Sequence, residues 1–136
     1  MNKCLIVDDA IAARMATRRL AEKLRLRVRE AENGHAAMRH CLRRMPDIIL
    51  LDWSMPGMDG YTFLQVLRRM PSGDKPKVIF CTARHDAHAI HQAIAAGADE
   101  FIMKPFDSDI LASKLIQVGV LISGVSPAQD GAFSTE

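Results

Sequence analysis

The sequence predicts a three-layer α/β domain, in which a parallel sheet of five strands carries helices on both faces. Short β-rich apolar runs alternate along the chain with stretches of helical periodicity. Two of these runs, Ile48-Ile49-Leu50-Leu51 and Val78-Ile79-Phe80-Cys81, are apolar at every position. Continuous apolarity suits central parallel strands covered on both sides, whereas a strand with one wet face would alternate. Right-handed crossovers between successive parallel strands then place helices on both faces of a doubly wound sheet.

The strands are expected at Lys3–Val7, Arg27–Ala31, Asp47–Leu51, Lys77–Cys81 and Glu100–Met103. The first helix runs from near Ala10 to Lys23, and the second from about Gly34 to a point before Pro46. The third covers about Tyr61 to Met70, where Phe63, Leu64, Leu67 and Met70 share one face. A fourth starts near Asp86, and Ala87, Ile90, Ile94 and Gly97 form its expected core stripe. Asp107 or Ser108 caps the fifth, in which Leu111, Leu115, Val118 and Ile122 recur at helical spacing. The stretch Ser123–Glu136, rich in Ser, Gly, Ala and Pro, reads as a flexible tail after a single domain spanning residues 1–122.

A chain of 136 residues suffices for one domain that buries roughly two-thirds of its unfolded surface. Its apolar fraction of 49% and charged fraction of 25% are those of an ordinary globular protein. No run reaches the about 18 apolar residues of a membrane span, and Cys4-Leu5-Ile6-Val7 is too short for the core of a signal peptide, so a cytoplasmic protein is expected. Cys4, Cys41 and Cys81 are odd in number and widely spaced, as suits buried reduced thiols. The net charge of +2 conceals a basic stretch, Arg14, Arg18, Arg19, Lys23, Arg25, Arg27 and Arg29. No aromatic residue interleaves these cations, so a solvated or protein-facing surface fits better than a nucleic-acid interface.

The residues with chemical potential sit where strands end: Asp8 and Asp9 after the first, Asp52 after the third, Thr82 after the fourth and Lys104 after the fifth. Open α/β sheets bind ligands beyond the carboxyl ends of their strands, so these groups converge on one crevice. Three carboxylates brought together repel, and burial adds to the cost of keeping them ionised. A cation removes that cost, and an all-oxygen ligand set favours a hard ion such as Mg²⁺. Asp52 can then be ligand and nucleophile at once, because a carboxylate can attack phosphorus. The Lys104 ammonium and Thr82 hydroxyl would meet the oxygens of the transferred group. Taken singly, each residue also has a structural reading; Asp9, for example, could simply cap the helix that begins at Ala10.

The segments Leu5-Ile6-Val7-Asp8-Asp9, Asp52-Trp53-Ser54-Met55-Pro56-Gly57-Met58-Asp59-Gly60, Thr82-Ala83 and Phe101-Ile102-Met103-Lys104-Pro105-Phe106 together resemble the receiver domain of bacterial two-component response regulators. The resemblance spans about Lys3 to Gln117 and implies a flavodoxin-like sheet of order 2-1-3-4-5. It implies that Asp52 is the phosphoacceptor, with Asp8, Asp9 and the Ser54 backbone carbonyl around Mg²⁺. It also makes Lys104 the phosphoryl-binding cation, Thr82 and Phe101 a switch pair, and Lys104–Pro105 a cis peptide. Ser54 and Arg84 occupy the positions that tune phosphoryl lifetime in this family, and Phe101 replaces the tyrosine of many relatives.

The function implied is a phosphorylation-activated switch, charged by a histidine kinase or histidine phosphotransfer protein and read by a downstream protein. A phosphate sink or relay, or a fragment of a longer DNA-binding regulator, are the alternatives; the residues after the fifth helix are too few for a helix-turn-helix. An aspartate-nucleophile phosphohydrolase fits less well, because Ser54 stands where its second carboxylate would be. Val120, Leu121 and Ile122 hint at a protein partner or second copy, and otherwise at packing of a helix end. His85, His88 and His91 step along the fourth helix without the pattern of a metal site. Trp53, beside Asp52, is expected to pack against the site or partly shield it.

Overall fold

The structure, a computed structural model, describes residues 2–83 and 87–122. Its elements in chain order are β1 (Lys3–Val7), α1 (Ile11–Lys23), β2 (Arg27–Ala31), α2 (Gly34–Arg43), β3 (Ile48–Leu51), α3 (Gly60–Arg69), β4 (Lys77–Thr82), α4 (Ala87–Ala95), β5 (Glu100–Met103) and α5 (Ser108–Gln117). The strands pair in the order β2-β1-β3-β4-β5, and every pairing is parallel. The expected strands therefore form, with β3 starting one residue later and β4 running one residue further than the sequence indicated.

Side chains alternate across the sheet, and each face buries its own core. Leu5, Val7, Ile49, Leu51, Val78 and Phe80 meet α2, α3 and α4 on one side. Cys4, Ile6, Ile48, Leu50, Ile79 and Ile102 meet α1 and α5 on the other. The three cysteines are free and buried, as the spacing implied. Burial pushes the Cys41 thiol up to about 11 and that of Cys81 up to about 12, so both stay protonated at neutral pH.

Side-chain caps set three of the helix starts. Asn33 accepts from the Ala36 amide at 2.8 Å, Asp59 from Thr62 at 2.8 Å, and Asp107 from Ile110 at 2.9 Å. Of the two expected caps for α5, Asp107 is the one used.

The expected stripe of α4 needs correction. Its buried residues are Ala89 and Ala93, while Ala87 and Ile94 are exposed and Ile90 is half-buried. Helical period alone admits two stripes in so alanine-rich a segment, and the smaller side chains face inward because they let the helix lie close to the sheet. Residues 84–86, where this helix was expected to begin, lie outside the described residues. At the end of the chain Ile122 is buried and Val120 packs against the α1–α5 core, while Leu121 is 82% exposed. Packing of a helix end therefore accounts for two of those three apolar residues.

Gly60 positions the loop that follows β3. Its amide donates to the Trp53 carbonyl at 2.8 Å. A Cβ at this position would run into the Asp52 carbonyl oxygen and lie 2.9 Å from the Phe80 ring. Alanine in a helix ordinarily stabilises relative to glycine. Here the backbone collision reverses the sign, and Gly60→Ala is expected to lose about 1–3 kcal/mol in urea denaturation. Gln65→Ala, on the exposed face of the same helix, should be close to neutral.

Candidate functional site

The carboxyl edge of the sheet assembles the site through backbone bonds just beyond the strands. The Asp8 amide donates to the Ala31 carbonyl at 3.1 Å, that of Asp52 to Val7 at 2.9 Å, and that of Lys104 to Thr82 at 2.9 Å. These bonds tie β1 to β2 and to β3, and β5 to β4, beside the polar groups. One carboxylate oxygen from each of Asp8, Asp9 and Asp52 lies within 4.8 Å of the others. No other His, Cys, Asp or Glu group among the described residues is arranged to hold an ion. His85 and Arg84 lie outside the described residues.

The three carboxylates have different surroundings. Asp8 is buried; its Oδ1 accepts from the Ala10 amide at 2.9 Å and its Oδ2 from the Lys104 ammonium at 2.8 Å. The Asp8 oxygen closes a turn onto the Ala10 amide, and α1 itself starts without a side-chain cap. Asp9 is exposed. Asp52 is half-buried, with Oδ1 3.5 Å from the Lys104 ammonium. Burial raises the Asp52 pKa, the Lys104 charge opposes this, and the Asp8 and Asp9 charges add to the rise. Burial alone would lower the Lys104 pKa, but the hydrogen bond to Asp8 and the charges of Asp52 and Asp8 outweigh it, leaving a net rise. One ammonium therefore serves two carboxylates, and an all-oxygen cluster with uncompensated negative charge remains. Its chemistry fits a hard cation.

Thr82 is buried at the end of β4, and Phe101 is half-buried on β5, where it pairs with Phe80 across the ladder. The Lys114 ammonium lies 5.6 Å from the centre of the Phe101 ring and 3.5 Å from Glu100 Oε2. The Lys104–Pro105 peptide is cis, as the resemblance implied. Ser54 lies exposed in the loop between β3 and α3. Trp53 is buried rather than open to the crevice, stacked on Tyr61 at 5.8 Å and tilted against Phe80 at 5.0 Å. The residue next to Asp52 is thereby anchored in the α3 side of the core.

Sequence reasoning missed one brace. Arg14, read as part of a solvated basic run, donates through a terminal nitrogen to the Asp8 carbonyl at 2.8 Å and through Nε to Glu30 at 2.7 Å. Arg18 adds a 2.6 Å bond to the same Glu30 carboxylate and a 3.0 Å bond to Glu22. The backbone of Asp8 is thus tied through α1 to the edge strand β2. The available signal was the i, i+4 spacing of Arg14 and Arg18, together with an acid at the end of the neighbouring strand.

Comparison with known proteins agrees with this geometry. The sequence profile of the response regulator receiver domain matches residues 4–116. The chemotaxis protein CheY of Bacillus subtilis is 37% identical over 109 residues, covering 79% of this chain and 89% of that protein. The CheY of Listeria monocytogenes is 40% identical over 111 residues, covering 80% and 91%. The solved structure of Vibrio cholerae CheY4 superposes with a TM-score of 0.82 at 26% identity, covering 87% of this chain and 98% of that one.

The Arg14–Glu30–Arg18 brace has a pH signature. Hydrogen bonds from Arg18, and then from Arg14, hold the Glu30 carboxyl below the ordinary range despite partial burial. A carboxyl with a lowered native pKa stabilises the fold above its unfolded value, and the contribution disappears as pH falls through the native one. Glu30→Gln should therefore be less stable than the wild type at pH 7, by about 1 kcal/mol or less for so exposed a pair. The gap should narrow as denaturant melts are repeated at acid pH below 4.

Proposed function

The chain belongs to the response regulator receiver domain family, and on that footing we propose that Asp52 is the carboxylate that accepts the phosphoryl group. The domain serves two-component signalling, in which a histidine kinase is the partner that supplies phosphate. The observation that carries the assignment to Asp52 is its place at the end of the central strand β3. It lies between two further carboxylates and a shared ammonium, and it is half-buried where Asp9 is exposed. Transfer forms a bond from an Asp52 carboxylate oxygen to phosphorus and breaks the phosphorus–nitrogen bond to the donor's histidine, whose imidazole leaves.

The all-oxygen cluster fits Mg²⁺, which Asp8, Asp9, Asp52 and the Ser54 backbone carbonyl would hold and which would neutralise charge on the reacting oxygens when bound. Lys104 exchanges its contacts with Asp8 and Asp52 for a phosphoryl oxygen, and the Thr82 hydroxyl takes another. An apolar cleft of about 190 Å³ between α1 and the segment after β5 supports docking of the donor protein. It is lined by Ala13, Ala16, Leu20 and Phe106 together with Lys104, so a donor seated there reaches the reacting end of the sheet.

Output follows when Thr82 moves toward the phosphoryl group. Space left by Thr82 is filled by the Phe101 ring, which reshapes the surface of α4, β5 and α5, and a downstream protein or a second copy reads that surface. Ile94 and Ile110 are exposed there, at 46% and 44%. We place the protein in the cytoplasm on the strength of its buried reduced thiols.

Two measurements test the reading. A small phosphodonor with Mg²⁺ should add one base-labile phosphoryl group detectable by intact mass, and Asp52→Asn should add none; undiminished labelling of that variant would refute the acceptor. Mg²⁺ should raise the melting temperature by relieving carboxylate repulsion. Asp9→Ala should lose most of that rise; a full shift in the variant would mean that the ligand set is wrong.

A further inference from the structure

At the opposite end of the sheet from Asp52, cations converge on a cleft between α2 and the edge strand β2. Lys3 and Arg27 are partners across the β1–β2 ladder, and Arg29 follows two residues on, so all three side chains leave the sheet on one face. His40 and Arg44 approach from α2 and close the cleft, which has no carboxylate in its lining. The arginines of this cleft differ from those of α1 in one respect. Arg14 and Arg18 are paired with Glu30 and Glu22, whereas no ion pair or hydrogen bond among the described residues engages the side chains of Lys3, Arg27, Arg29 or Arg44. The nearby Asp47 carboxylate is occupied by the Lys3 amide at 2.8 Å.

His40 lines the same cleft from α2. The cleft has a volume of about 50 Å³, room for a group of a few heavy atoms. Four cations around one cleft suit a doubly charged tetrahedral oxyanion better than a single carboxylate, and guanidinium forks bind such oxygens in pairs.

We propose that this cleft is a second anion site, separate from the Asp52 site, which binds a phosphate group through Arg27, Arg29, Arg44, Lys3 and His40. Either free inorganic phosphate or the phosphate of a small monoester supplies that chemistry. The site lies at the amino ends of β1 and β2, a strand length of about 16 Å from the carboxylate cluster. It stands whether or not Asp52 is the acceptor.

The test titrates ¹⁵N-labelled protein with sodium phosphate and, separately, glycerol 3-phosphate. Divalent cations are omitted so that the acidic cluster cannot recruit the anion, and ionic strength is held constant with chloride. Saturable shifts at the amides of Leu5, Arg29 and His40 are expected. Affinity should fall about tenfold or more in Arg27→Gln/Arg29→Gln, the loss expected when charge-assisted bonds are removed. Binding of both probes identifies the phosphate group itself as the ligand, and binding of the monoester alone assigns a phosphorylated metabolite. An unchanged affinity in the double variant overturns the proposal. So does a lack of saturation, or binding of an oligoglutamate peptide in place of either phosphate. The Mg²⁺-induced thermal shift of the double variant should equal that of the wild type, which shows that its fold and acidic cluster are intact.

Discussion

One ammonium shared between two carboxylates is the constraint on which the carboxyl edge of this domain depends. Lys104 sits 2.8 Å from Asp8 and 3.5 Å from Asp52, at the end of a strand that does not pair with either of theirs. That single side chain spans the switch point of the sheet and keeps buried negative charge tolerable. It can satisfy only part of the charge, so the site is left with an appetite for cations. A fully compensated cluster would be inert. An uncompensated one without Lys104 would be forced to take up protons, as the upward pressure on the Asp52 pKa indicates. The geometry lies between these limits, and a phosphoryl group can enter it only by displacing contacts that already exist.

The rigidity that holds this balance comes from both cores. Val7 and Leu51, each fully buried, fix the positions from which Asp8 and Asp52 leave their strands. Trp53 wedges between Tyr61 and Phe80, and Gly60 lets α3 approach the Asp52 backbone. On the other face, Arg14 draws the Asp8 carbonyl toward α1. The reacting groups are thus held by apolar packing on one side and by a charged brace on the other, and the crevice between them stays open.

Most of this was legible in the sequence because it depends on period and on order along the chain. The continuous apolar runs at Ile48–Leu51 and Val78–Cys81 announce buried parallel strands, and polar residues placed at their ends announce a crevice. What escaped was decided by contacts between distant elements. In α4 the choice of Ala89 and Ala93 over Ile90 and Ile94 rests on how closely the helix sits on the sheet, which no linear period reveals. That α1 starts without a side-chain cap, while Asp8 bonds the Ala10 amide, follows from where Lys104 holds the Asp8 carboxylate. The split of the basic run into paired arginines on α1 and unpaired ones on β2 depends on where Glu30 points. Charge runs show composition, and only the fold shows which cations have partners.

The position of β2 has a consequence for how copies of this protein behave when crowded. The strand lies at the margin of the sheet, where unpaired backbone groups invite another chain to continue the ladder. Arg27 and Arg29 are exposed along that margin, so a second copy adding itself strand to strand would bring like charges face to face. Growth of the sheet from molecule to molecule is thereby discouraged at this margin. Multivalent anions that neutralise these arginines weaken that protection, which makes the salt used to concentrate the protein a determinant of whether it stays dispersed.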